Sequence, residues 1–322
     1  MGELEFDQVV AIARGYQESR ILLTAVELNL FALLRQSPKT AHDIAEAHAW
    51  NEYALAMLLD ALTVMGFLEK SRSLYSVPRI DRELFSEDDS RRMMHILKHS
   101  AFGWNAWSTL TAQIVGNGEL RQAVPISHEV EAMHAMAHPL APGIAALVRP
   151  EMGRSFLDVG GGLGTFTIAF LDRDRSLRAT LIEQAEVLPV AQRHLAEVGY
   201  TDVQLVASEL LKGQWPSSQD LVFISAVLHR HPPSACQVLL AHAYASLNHG
   251  GRIVIRDYIM SEDRLIPRTG TLASLHTLVT TDGGRPHSFA ELRRWLEAEG
   301  FRDVRLVQDG ERMNGIMEAF KL

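Results

Sequence analysis

The 322-residue sequence predicts an α/β fold in which a mostly parallel sheet alternates with helices behind a separate helical domain. Three observations predict it. A glycine-dense turn follows an apolar run in Phe156-Leu-Asp-Val-Gly-Gly-Gly-Leu-Gly-Thr165. Later apolar runs end at Glu183, at Ser208-Glu209 and at Asp257, with helical segments between them. Residues up to about 85 carry helical periodicity instead. With 47% hydrophobic and 22% charged residues, a chain of this length can bury a full core and divide into two domains.

Residues 21–34, 40–46 and 54–62 repeat apolar side chains at helical spacing, which predicts three short helices ahead of Gly66. Phe67-Leu-Glu-Lys70 and Leu74-Tyr-Ser-Val77 flank a polar turn and read as a small hairpin. Helices followed by a two-stranded wing form a winged-helix pattern, assigned to residues 1–86. Such a pattern suggests DNA, but residues 51–60, in the recognition position, lack Lys and Arg and carry Glu52 and Asp60, which repel phosphates. The net charge of −8 also argues against a broad phosphate-binding surface.

Residues 87–152 read as a helical linker rich in Met, His and Trp, among them Met93, His95, Trp104, Trp107, Met133, His134 and His138. Core packing accounts for most residues of this kind. The glycine turn comes next. Without Cβ atoms at Gly160, Gly161, Gly162 and Gly164, a ligand can lie against the main chain, with the free N–H groups of a helix start behind it.

The strand predicted at 178–183 ends in Glu183, nineteen residues after Gly164, where a βαβ unit places a ribose-binding carboxylate. The strand at 203–207 ends beside Ser208-Glu209-Leu210, whose carboxylate and apolar side chain suit an adenine amino group and ring face. Three successive strand ends thus line one crevice. Nicotinamide dehydrogenases use G-x-G-x-x-G, whereas this loop carries its own leading acid, Asp158, so a cofactor without a pyrophosphate fits better.

Asp158-Val-Gly-Gly-Gly162 resembles the first motif of class I S-adenosylmethionine-dependent methyltransferases. Over almost the whole chain the sequence is similar to the plant caffeate-type and bacterial secondary-metabolite O-methyltransferases. The resemblance implies a Rossmann-like seven-stranded methyltransferase sheet over residues 153–322, with S-adenosyl-L-methionine held by Asp158, Gly160, Gly162, Glu183, Glu209, Leu210 and Ser225. It also implies a homodimer formed through the N-terminal winged-helix domain, and a linker that walls the substrate pocket with Trp107 and His138.

The strand predicted over 220–228 delivers His229 to the carboxyl end of the sheet, where open α/β folds bind ligands. Histidine there can act as general base, because its ordinary pKa of about 6.5 lets it accept a hydroxyl proton near neutral pH. Methyl transfer from a sulfonium needs little beyond that proton transfer and alignment of the acceptor. Twenty-eight residues on, the strand 251–257 ends in Asp257, where the resembled family has a Glu that orients the imidazole.

Several positions depart from the family. The pattern Leu-His-Asp-Trp becomes Leu228-His229-Arg230-His231, and the family's second supporting Glu falls on Pro286, which cannot hold a proton. Either Asp257 suffices, His287 contributes from the next position, or the reaction is not ordinary O-methylation. Ser225 falls where a Lys often contacts the cofactor, and Ala226 where a Trp often packs on the substrate. Thr277 and Thr281 fall where a Met and an Asn often touch the acceptor, in a helix from about 271 to 281. Small residues here imply a pocket shaped for something other than a phenylpropanoid. The chain closes with a helix over 289–300 and strands at 304–307 and 315–320.

The single Cys236 excludes an internal disulfide framework, and residues after Met1 are polar rather than basic then apolar. No apolar run approaches the roughly 18 to 20 residues that cross a bilayer, so a cytoplasmic protein without membrane contact is expected. His229 and His231, with His276 and His287, raise the idea of zinc, but no third ligand stands at a recognisable spacing and no metal is expected. The function expected is methyl transfer to a hydroxyl of a small aromatic or polyketide-like metabolite. The alternative is a cofactor-binding protein of the same fold diverted to C-, N- or S-methylation or to a non-methylating reaction.

Overall fold

The computed structural model describes residues 5–79, 84–85, 93–118, 125–311 and 313–322. The chain folds as two compact units, Met1–Phe102 and Gly103–Leu322. The boundary expected between residues 86 and 87 lies outside the described residues, and the units divide inside a helix, Met93–Trp107.

The first unit contains α1 (Phe6–Arg14), α2 (Tyr16–Glu27), α3 (Leu30–Gln36), β1 (Lys39–Thr40), α4 (Ala41–His48), α5 (Glu52–Val64), β2 (Glu69–Ser71) and β3 (Leu74–Ser76). The helix expected over 21–34 is two helices. Asn29 adopts φ 55°, a left-handed conformation that Asn tolerates better than most residues, and this turns the chain between α2 and α3. The hairpin β2–β3 forms as expected, and β1 adds a third strand beside β3, too short to show any alternation in sequence. A reciprocal cap between Thr40 and Asp43 opens α4, and the Asn51 side chain caps α5. Phe31 stacks on Phe85 at 4.1 Å within a core that includes Leu34, Ile44, Leu59, Leu62 and Tyr75.

The remaining helices before the sheet are α6 (Met93–Trp107), α7 (Leu110–Ile114), α8 (Ile126–Ala137) and α9 (Ala141–Val148). Then come β4 (Ser155–Val159), α10 (Thr165–Arg173), β5 (Arg178–Glu183), α11 (Leu188–Glu197), β6 (Gln204–Ala207), β7 (Gln219–Ser225), α12 (Pro233–Ser246) and β8 (Leu247–Asp257). The chain ends through β9 (Ile259–Met260), α13 (Arg268–Thr280), β10 (His287–Ser288), α14 (Phe289–Glu299), β11 (Arg302–Gln308) and β12 (Gly315–Phe320).

Seven strands form one sheet in the order β11-β12-β8-β7-β4-β5-β6. The five from β4 to β8 run parallel, and β12 lies antiparallel between β8 and β11. Both faces of the parallel part are covered, as such sheets require. Alternate residues serve opposite layers: Phe156, Phe223 and Val254 pack with Phe170 of α10 and Ile144 of α9. Leu157, Val222, Ile224, Ile253 and Ile255 pack with Leu239 and Leu240 of α12 and Leu296 of α14. From β4 the chain winds first toward β5 and β6, then returns to place β7 on the other side. The switch leaves a crevice beyond the carboxyl ends of β4 and β7.

Around the sheet two further details differ from the sequence reading. The strand expected to run to Leu228 ends at Ser225, because Ala226 takes φ 59° and breaks the pleat, and a 3-10 turn over Leu228–Arg230 then carries His229. A two-stranded parallel pair, β9 with β10, also forms and holds His287 opposite Ile259.

Candidate active site

The glycine loop is built around close approaches. A Cβ at Gly160 would stand 2.9 Å from Val227 Cγ2 and 3.6 Å from Leu210 Cδ1, so this loop, the β6 end and the approach to His229 meet at one point. Gly162 has φ +54° and open space where its Cβ would point. That leaves room for a ligand against the backbone. The Glu183 carboxylate closes the crevice: Oε2 accepts from Gly162 N at 3.1 Å and Oε1 from Gln184 N at 2.8 Å. Burial pushes this carboxyl above its ordinary value against those N–H donors. Asp158 lies beneath the loop, accepting from Thr167 Oγ1 at 2.7 Å, with Oδ1 buried and unpartnered. Burial, with the Glu183 charge nearby, pushes its carboxyl to about 6.

The chemistry-bearing pair stands beside this crevice. His229 Nδ1 lies 2.8 Å from Asp257 Oδ1, with both side chains largely buried and the ring N–H off the straight line between them. Asp257 also accepts from the backbone N–H of Tyr258 at 2.8 Å and of His229 at 3.2 Å. Burial pushes its carboxyl up, but the His229 charge and these N–H donors outweigh that and hold it below the ordinary aspartate range. Asp257 is therefore a carboxylate at neutral pH, aimed at one imidazole nitrogen. The Tyr258 ring meets the imidazole edge-on at 5.8 Å.

His287 is buried against the far side of the same turn. Its Nε2 donates to Leu228 O at 3.2 Å and lies 3.3 Å from Cys236 Sγ, and burial and Arg285 lower its pKa, so it is a neutral ring that braces the turn. Cys236 is fully buried, contacts the carbonyls of Leu228 and His231, and has its thiol pushed up to about 12 by burial and the Asp257 charge.

The other expected residues divide. Leu210 reaches the glycine loop, and Ser225 and Ala226 end β7 at the crevice. Glu209 instead extends into solvent and pairs with Lys212 at 2.7 Å. Trp107 donates from Nε1 to His276 Nδ1 at 3.2 Å, joining α6 to α13. Thr277 spends its hydroxyl on Ala273 O and Ser274 O, and Thr281 caps the helix end between Thr277 O and Gly284 N. His138 is exposed at the end of α8.

One turn earlier, His134 is buried with Nδ1 2.8 Å from Thr165 Oγ1, tying α8 to the first residue of the glycine-loop helix. In the sequence His134 stands among the linker residues read as core packing, and the resemblance matched His138 instead. Arg230 pairs with Glu129 of α8, so the residue that replaces the family Asp bridges the His229 turn to the linker. Arg256, a charge inside the apolar strand Gly251-Arg-Ile-Val-Ile-Arg256, was also overlooked, although a buried strand position holding Arg is itself a signal. Among the described residues no group of three or more His, Cys, Asp or Glu gathers as a metal set.

Residues 146–302 match the O-methyltransferase domain and residues 10–87 the O-methyltransferase dimerisation domain. The chain belongs to this O-methyltransferase family. The enzyme is 25% identical to the S-adenosyl-L-methionine-dependent methyl transferase PigF of Serratia, over 91% of this chain and 90% of that one. It is 27% identical to the tetracenomycin polyketide synthesis 8-O-methyl transferase TcmO of Streptomyces glaucescens, covering 92% and 91%. The PigF structure with SAH superposes with a TM-score of 0.88 at 23% identity, covering 99% of this chain and 100% of the other. That of the mitomycin 7-O-methyltransferase MmcR gives 0.83 at 25%, covering 98% and 97%.

The methyltransferase's own residues fit S-adenosylmethionine. The open space at Gly162 admits a ligand against the backbone, Glu183 presents a carboxylate at the crevice, and Leu210 offers an apolar face beside Gly160. No helix among the described residues is long and apolar enough to cross a membrane.

Proposed function

We propose that the enzyme transfers the methyl group of S-adenosyl-L-methionine to a hydroxyl of a small aromatic or polyketide-like metabolite, with His229 as general base and Asp257 as its positioning residue. The observation that carries this reading is the His229–Asp257 contact at 2.8 Å, on a turn whose Val227 packs against the glycine loop. The bound cofactor supplies a methyl group already activated on a sulfonium.

What remains for the chain is binding, alignment and one proton transfer. Asp257 holds Nδ1, which leaves Nε2 to take the proton of an acceptor hydroxyl, and its carboxylate stabilises the imidazolium that results. Glu183, Gly160, Gly162 and Leu210 hold the cofactor, while Asp158 braces the loop from beneath through Thr167. Helices α6 and α13, linked by Trp107 and His276, and α8, linked by His134 and Arg230, supply the acceptor wall. The enzyme acts in the cytoplasm as a homodimer through its dimerisation domain.

The test is incubation of pure enzyme with labelled S-adenosylmethionine and a panel of phenols and hydroxylated polyketides. His229→Ala is expected to cut transfer by at least about 10²-fold with S-adenosylhomocysteine affinity intact by calorimetry. Undiminished O-methylation by that variant would refute the assignment of the base.

A further inference from the structure

Two buried arginines lie on the same face of β8, and they are treated differently. Arg252 meets Glu318 at 2.8 Å and the carbonyls of Val148 and Arg149. Arg256, only 4% exposed, has no carboxylate within ion-pair distance among the described residues. Its Nη1 donates to Ser225 Oγ at 3.1 Å and Nη2 to Asn314 Oδ1 at 3.3 Å, the guanidinium lies 5.1 Å over the Phe166 ring, and Nε is buried with no partner. Burial alone disfavours this cation, and the nearby Asp257 charge only partly compensates. Arginine cannot shed its proton inside a protein, so such a site calls for an anion.

Its place indicates which anion. Arg256 pairs in register with Ser225 at the end of β7, at the carboxyl edge of the sheet, and Phe166 is the second residue of the glycine-loop helix. Ser225 stands where the resembled enzymes often carry a Lys that contacts the cofactor. Here that side chain is short, and its hydroxyl accepts from a guanidinium arriving from the neighbouring strand.

We propose that Arg256 captures a carboxylate at the carboxyl edge of the sheet, supplying from β8 the cation that Ser225 does not provide from β7. The planar fork, already oriented by Ser225 and Asn314 and with a free Nε–H, matches a carboxylate. That carboxylate belongs to the methionyl tail of the cofactor or to an aromatic-acid acceptor. The inference rests on the methyltransferase reading.

Calorimetry on the full chain tests it with S-adenosylhomocysteine, with 5′-methylthioadenosine, which lacks the amino-acid tail, and with salicylate against phenol in the presence of S-adenosylhomocysteine. Arg256→Met is expected to weaken the carboxylate-bearing ligand by about 10- to 100-fold and to leave its carboxylate-free counterpart within about twofold, with Arg256→Lys in between. Loss confined to S-adenosylhomocysteine assigns the cofactor tail, and loss confined to salicylate assigns the acceptor. Equal binding of all four ligands by wild type and Arg256→Met overturns the proposal.

If Arg256→Met does not fold, wild type alone decides, by the same fold-loss on methyl esterification of S-adenosylhomocysteine or of salicylate. Ester and acid binding alike would overturn the proposal. A wild type that binds neither S-adenosylhomocysteine nor 5′-methylthioadenosine sinks the methyltransferase reading itself.

Discussion

Replacing Asp257 by Asn keeps the size and polarity of the side chain and removes its charge. At the observed 2.8 Å and an effective dielectric near 20, a carboxylate attracts an imidazolium by about 6 kcal/mol. If half of that attraction develops by the transition state of proton transfer, the loss is about 3 kcal/mol, or roughly 10²-fold in rate. Single-turnover transfer of labelled methyl at saturating cofactor, followed across pH, measures it. The expected result is a rate lowered by about 10²-fold with S-adenosylhomocysteine affinity unchanged.

Stability reports on the same group. Because the folded Asp257 is held below its ordinary value, its ionisation stabilises the fold above about pH 4, and this contribution drains away as pH falls through the lower folded value. Asp257→Asn should lack that acid-side decline in thermal scans. A variant with wild-type rates and a wild-type pH profile would show that the 2.8 Å contact plays no part in catalysis.

Asp158→Asn should behave in the opposite sense. The folded carboxyl is raised to about 6, so its stabilisation is present below about pH 4 and lost by pH 6. Melting curves should show the variant gaining on wild type over that interval, levelling at about 3 kcal/mol, and a pH-independent difference would contradict this. Gly162→Ala places a Cβ in the open cradle at φ +54°. It should cost roughly 1 kcal/mol of stability yet at least about 10-fold in S-adenosylhomocysteine affinity by calorimetry; undiminished affinity would move the cofactor off this loop. Glu318→Gln strands the buried Arg252 charge and should lower stability by about 3–5 kcal/mol in urea titrations, an effect that a solvent-exposed pair would not produce.

Much of this architecture is legible in the sequence because it is local. The parallel strands announce themselves as apolar runs, the glycine turn as four glycines in five positions, and the His229–Asp257 pair through two strand ends. What escaped depends on long-range register or on single backbone angles. The left-handed Asn29 and Ala226 look unremarkable in a string of letters, yet one splits a helix and the other ends β7 early. The roles of Arg256 and His134 are set by partners 31 residues away in each case, Ser225 and Thr165, and no periodicity carries that information. Thr277 shows the converse: a position matched by resemblance whose hydroxyl is consumed by its own helix.

The setting of Cys236 bears on the acceptors proposed above. Phenols and hydroxylated polyketides oxidise readily to quinones, electrophiles that alkylate accessible thiolates. The protein's one sulfhydryl is sealed behind the His229 turn and stays protonated far above neutral pH. The protein therefore presents no thiolate for such electrophiles to alkylate.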